Sequence, residues 1–227
     1  MRRTVVVCVC LTVAGLPGGA VRSATPASRG AGSYKQSTRI ARASWELDFR
    51  FHDLERVRVR LPGDAVQTTY WYLLYEVINN TGREVDFFPS FRLVTDTLEV
   101  VVGGDRVSPS VYDSIAARHR KEYPFFAPPW KMIGPVLQGE ANARASAAVF
   151  RAFDRNASSL TVYVAGLTGD SVRLANPLVE LGPEALGDAK PYYVLRRTLA
   201  IRYDLPGDPG TRAMATPIRR GREWVMR

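Results

Sequence analysis

Residues 70–82 read YWYLLYEVINNTG, and the way their two alternating sets are covered decides the fold. In an extended strand, successive side chains point to opposite faces. Trp71, Leu73, Tyr75 and Val77 form one set, which carries no charge; Tyr70, Tyr72, Leu74, Glu76 and Ile78 form the other, amphipathic but too apolar for open water. An antiparallel strand with one wet face alternates cleanly between apolar and polar residues. This one therefore needs a cover on both faces, and Asn80 to Gly82 read as the loop before a returning strand.

The flanking segments are simpler. In WELDFRF, Trp45, Leu47, Phe49 and Phe51 alternate with Glu46, Asp48 and Arg50, and in RVRVRL, Val57, Val59 and Leu61 alternate with Arg56, Arg58 and Arg60. Both have the period of a half-buried strand, with the arginines on the solvated side. LPGD closes the second strand at 61–64 and returns at 205–208. Proline presets the second position of a type II turn and glycine accepts positive φ at the third, so each copy is expected to be a turn. Further strands are expected at 91–94, 98–102, 144–150, 160–164 and 192–203. Many short strands separated by turn residues predict a mainly β protein, an antiparallel β-sandwich.

One segment departs from this pattern. In SPSVYDSIAARHRKEYP, Ser108 stands as N-cap, Pro109 at the first helical position, Val111 and Ile115 four apart, and Arg118 to Lys121 near the end. A short helix is expected within about 108–123. YPFFAPPWKMIGP follows, with four prolines that exclude a helix or a central strand. It is expected to be a stiff, greasy loop, and the helix and loop together are the expected cover for Tyr70 and Tyr72. Tyr123, Phe125, Phe126 and Trp130 are the candidate binding residues on this loop, since aromatics held on a rigid loop can stack on a sugar or anchor a protein.

At the N-terminus, Arg2 and Arg3 precede an uncharged apolar run that ends in Pro-Gly-Gly before Ala20. This is the layout of a secretory signal peptide, with cleavage near Ala20 or a few residues later. The run is too short to span a bilayer, which takes roughly 20 apolar residues. Cys8 and Cys10 are the only cysteines, so the mature chain is expected to have no disulfide, thiol chemistry or Cys-ligated zinc. Residues 21–43 read as a flexible linker, 44–205 as the sandwich and 206–227 as a basic C-terminal segment. An exported protein of the periplasm, cell surface or extracellular space is expected.

The formal charge is +9, and it is uneven. From Lys190 to the end there are nine Lys or Arg against three Asp or Glu, while residues 21–189 are nearly balanced. Arg219, Arg220 and Arg222 are the candidate polyanion contacts, with anionic lipid or an acidic polymer preferred to nucleic acid for an exported chain; the end is otherwise expected to be a solvated terminus or a last strand docking Trp224 into the body. His52 and His119 stand without a ligand pattern for metal, and no cofactor fingerprint, nucleophile elbow or zinc motif is present. Glu76, Asp86 and Asp96 are carboxylates that a fold can bring together only in space.

The chain resembles a group of uncharacterised exported bacterial proteins. The resemblance rests on an ordered series of blocks, among them WELDFRF, RLPGD, TTYWYLLYEVINNTGREVDF, LVTDTLEVV, SVYDSIAARH, GPVLQGEANARASAAVFRAFD, TVYVAGL, LRRTLAIRYDLPGDP and EWVMR. It implies an immunoglobulin-like sandwich and no established activity, so no site residue carries over. The expected function is non-catalytic binding or scaffolding, with another exported protein or a cell-envelope component as partner. The alternatives are a hydrolase or carbohydrate-active protein with converging carboxylates, and a polyanion or membrane-surface binder through the basic end.

Overall fold

The central strand is the stretch that poses the problem of two apolar faces. In a computed structural model describing residues 39–41 and 45–227, it forms β4 (Thr68–Ile78), flanked on one side by β2 (Asp48–Phe51) and β3 (Glu55–Val59) and on the other by β9 (Arg144–Arg151). All these pairings are antiparallel. The second sheet contains β1 (Arg39–Ala41), β6 (Ser90–Thr95), β7 (Val100–Val102), β10 (Ser159–Ala165), β11 (Ser171–Ala175), β12 (Tyr192–Asp204) and β13 (Ile218–Met226). Its spine is β12, paired with β11 through its first half and with β10 and β13 through its second. A small ribbon joins β5 (Val85–Phe87) to β8 (Gly134–Val136). The protein is mainly β with antiparallel sheets, as the strand pattern predicts, and the architecture is compatible with an immunoglobulin-like sandwich.

The inner face of β4 supplies Trp71, Leu73, Tyr75 and Val77 to one core, where they meet Leu93 of β6, Val162 of β10 and Ile201 of β12. Its outer face supplies Tyr70, Tyr72 and Leu74 to a second core with Val111, Tyr112 and Ile115 of helix α1 (Pro109–Arg118). Tyr123 and Phe126 pack against that second core. Each large side chain buried in this way contributes roughly 1.5–3 kcal/mol. The helix and the first part of the proline-rich segment are the cover that the sequence requires. Ser108 takes the N-cap position, but its hydroxyl makes no cap bond and lies 2.9 Å from the Ser110 hydroxyl instead.

A register change sets which side of β3 is apolar. Phe51 stands opposite Tyr75, yet Glu55 stands opposite Tyr72, so four steps along one edge match three along β4. A one-residue slip moves every later side chain to the other face. Phe49 and Phe51 therefore point into the inter-sheet core, whereas Val57 and Val59 point to the outer one. Arg56 and Arg58 consequently lie on the inner side, opposite Trp71 and Thr69.

Asn79, wholly buried at the end of β4, holds the turn that follows, but the strand after it, β5, does not return along β4 and pairs with β8 instead. Its amide donates to the carbonyls of Arg83 at 2.8 Å and Val136 at 2.6 Å, and its oxygen accepts from the Thr81 backbone at 3.0 Å. The first LPGD is a hydrogen-bonded turn, with Asp64 N to Leu61 O at 3.0 Å and Gly63 at φ 90°. Three residues of the expected linker form β1 on the edge of β11, and the basic C-terminal segment contributes β13 to the sheet. β11 has no counterpart among the expected strands, and β13 is the last strand that was one of the two readings of the basic end. The expected signal peptide lies outside the described residues. Among these, no helix is long and apolar enough to cross a membrane.

Candidate functional site

The register slip places Arg56 and Arg58 at the mouth of a cleft of about 750 Å³. One wall is β3 and the start of β4, the second is the 152–157 connection between β9 and β10, and the third is the 205–217 connection between β12 and β13. Trp71, Phe153, Leu54 and Leu205 form an apolar floor. Trp71 and Phe153 are in contact with ring centroids 5.4 Å apart. Five arginines line the cleft, Arg56, Arg58, Arg118, Arg155 and Arg212, against Glu55 and Asp154.

Local interactions aim these groups. The Arg56 guanidinium lies 5.3 Å from the Trp71 ring centroid and donates to the Met214 carbonyl at 2.6 Å. Partial burial pushes its pKa below the ordinary arginine value, and the neighbouring Arg58 charge pushes it the same way. Arg58 donates to the Met214 sulfur at 3.2 Å. Arg118, the last residue of α1, donates to the Arg56 carbonyl at 2.9 Å. The second LPGD differs from the first: the hydrogen-bonded turn starts at its last residue, with Thr211 N donating to the Asp208 carbonyl at 3.0 Å. The Asp208 carboxylate accepts from the backbone of Gly210 at 2.9 Å and Thr211 at 3.1 Å, and the Gly207 carbonyl accepts from Arg212 Nε at 2.8 Å. Arg212 also reaches across to the Asn156 carbonyl at 2.7 Å, joining two walls.

Both histidines converge on one acid beside this region. His52 Nε2 lies 3.5 Å from one Glu122 oxygen and His119 Nδ1 lies 3.8 Å from the other. Tyr72 donates its hydroxyl proton to Glu55 at 2.7 Å, so its oxygen accepts from His119 Nε2 at 2.9 Å. Burial, reinforced by the Glu55 bond, raises the Tyr72 pKa strongly. Tyr123 Oη lies 2.7 Å from His52 Nε2, and its pKa is also raised, by burial first and then by Glu122. These bonds pin the cover to β4 and to the link between β2 and β3. Among the described residues no group of three His, Cys, Asp or Glu is placed to hold a metal ion.

The aromatic candidates divide. Tyr123 and Phe126 belong to the cover, whereas Phe125 is 89% exposed and Trp130 is 54% exposed, edge-on to Tyr112 with centroids 5.7 Å apart. The arginines of β13 are partnered within the fold. Arg219 pairs with Asp53 at 3.3 Å and lies 5.3 Å from the Phe51 ring centroid, Arg220 pairs with Asp204 at 2.6 Å, and Arg222 lies 6.0 Å from the same ring. Trp224 packs against the inter-sheet core beneath Arg197, 4.4 Å from its ring centroid. Glu76 faces Arg50 at 3.6 Å and Asp96 accepts from Ser158, so neither belongs to the cleft. The cleft arginines escape sequence reasoning because their meeting depends on the slip between β2 and β3. The visible signals were the RVRVR stripe and the repeated LPGD.

No protein-family model, curated protein or solved structure matches the chain.

Proposed function

We propose that the protein is an exported, non-catalytic binding or scaffolding β-sandwich, immunoglobulin-like in fold, that works in the periplasm or at the cell surface and takes its ligand in the cleft between β3 and the 205–217 connection. The observation that carries this reading is the cleft itself. Its volume of about 750 Å³ falls in the range of ligand pockets, roughly 300–1,000 Å³. Its floor is apolar, and hydrogen bonds tie together its three walls, β3 and the 152–157 and 205–217 connections. The basic and apolar start of the chain supports export, as does the resemblance to exported bacterial proteins.

The test has two parts. Fractionation of the producing cell with N-terminal sequencing should find the protein outside the cytoplasm, starting near residue 21. NMR titration of the exported protein with a cell-envelope extract should shift resonances of residues 55–58, 152–157 and 212–217. Shifts confined to Phe125 and Trp130 would transfer binding to the loop, and a cytoplasmic protein retaining Met1 would end the export reading.

A hydrolytic reading keeps one supporting observation, since Glu55 and Asp154 both line the cleft. Glycosidases use two such carboxyl groups, one with a raised pKa as proton donor. Asp154 has the opposite tendency, because the Asn156 backbone bond holds its pKa below the usual carboxylate value. Hydrolysis of an aryl glycoside that disappears in Glu55→Gln would favour this second reading over simple binding.

A further inference from the structure

We infer that the cleft is an anion receptor whose ligand is a small amphiphile, carrying a phosphoryl or carboxylate group on an apolar body. This rests on the reading of the cleft as the binding site and adds the chemistry of what enters it. The rim has an excess of cations, and its acids are already engaged. Glu55 accepts from Tyr72 at 2.7 Å, and Asp154 accepts from the Asn156 backbone at 2.9 Å. Among the described residues, no carboxylate oxygen lies within 4 Å of a nitrogen of Arg58, Arg155 or Arg212. Arg197, by contrast, meets Glu46 and Asp170, and Arg220 meets Asp204.

Like charges are also held together. Arg56 and Arg58 lie two residues apart on one face of β3, and the Arg58 charge opposes that of Arg56. An anion between them removes that opposition. Arg56 donates to the Met214 carbonyl at 2.6 Å and Arg58 to the Met214 thioether at 3.2 Å, both neutral acceptors. A thioether is a weak acceptor, and Met214 is 59% exposed. An oxyanion forms charge-assisted bonds about twice as strong as neutral ones, so it displaces the sulfur. Every cation on the rim is an arginine, the side chain whose planar fork fits carboxylate and phosphate in two-point contact. The Trp71, Phe153 and Leu205 floor calls for an apolar body, which separates this ligand from a bare inorganic ion and from a polyanionic chain.

The experiment is calorimetric titration of the full exported chain with phenyl phosphate, benzoate and benzyl alcohol, paired with NMR mapping. Phenyl phosphate or benzoate should bind at least tenfold more tightly than benzyl alcohol, and the preference between the first two identifies the headgroup. Binding should weaken as salt rises. Arg58→Ala with Arg155→Ala should weaken the anionic probe at least tenfold, whereas Arg219→Ala with Arg222→Ala should change it less than twofold. Both Arg58 and Arg155 are exposed, so the fold should survive, and the salt series on the unaltered protein tests charge independently. Equal affinity for benzyl alcohol, with shifts inside the cleft, would overturn the anion inference and leave the binding reading standing. Absence of cleft shifts with all three probes would remove both.

Discussion

The two faces of β4 are closed by different means. The inner face meets a second sheet whose strands come from distant parts of the chain, and its side chains Trp71, Leu73, Tyr75 and Val77 make an apolar layer. The outer face meets a ten-residue helix and two aromatics from the connection between β7 and β8, and it keeps polar anchors at Tyr72 and Tyr123. A local excursion of the chain can thus do for one face what a whole sheet does for the other. It needs hydrogen bonds to fix the geometry that extended sheet packing supplies on the inner side.

The largest effect should come from alkali, which attacks both faces together. Burial raises the phenol pKa of Tyr75 on the inner face and of Tyr72 and Tyr112 on the outer one, with Tyr112 pushed up to about 12 from its ordinary 10.0. A phenol with a raised folded pKa supports the fold fully below its unfolded value. That support is lost as pH climbs from about 10 toward the folded value. The denaturant midpoint should hold up to pH 9 and collapse above about 10, with phenolate absorbance rising in the same step. Phenolate appearing well before unfolding would show these tyrosines to be accessible.

Next come truncations that weigh the two covers against each other. Leu73→Ala, in the sheet-on-sheet layer, should cost about 3–5 kcal/mol, and Ile115→Ala, beneath the helix, about 2–3 kcal/mol, because a single helix can settle into a cavity more readily than a sheet. Both residues are fully buried. Urea unfolding measures the pair, and a negligible cost at Ile115 would show that the outer cover is dispensable. Tyr72→Phe tests the anchors. It removes the bonds to Glu55 and His119 and should cost about 0.5–1.5 kcal/mol. Hydrogen exchange in α1 should quicken while that in β12 does not. The smallest effect belongs to Phe125→Ala, within about 0.5 kcal/mol of the parent, since the ring is exposed. A larger loss of thermal stability would mean that Phe125 belongs to the cover with Phe126.

Periodicity by itself determined a great deal. Alternation marked β2, β3 and β4, the capping and proline signals placed α1, and the doubly apolar YWYLLYEVI required a cover on each face, which the helix and Tyr123 with Phe126 provide. These features are local, or follow from the plain need to remove apolar area from water. β11 was not legible, and β13 was legible only as one of two readings of the basic end. SVRLA carries only three apolar residues, and the Arg-rich IRRGREWVM became a strand through its pairing with β12. The cleft was decided by tertiary structure alone. One residue of register between β2 and β3 put the arginine stripe on the inner side of the sheet, where Arg58 stays exposed and lines the cleft. The second LPGD then carried Arg212 and Met214 to meet Arg56 and Arg58 from more than 150 positions away. Side-chain type and spacing specify a strand, but parity after a bulge and the meeting of distant loops are set only when the sheets pack.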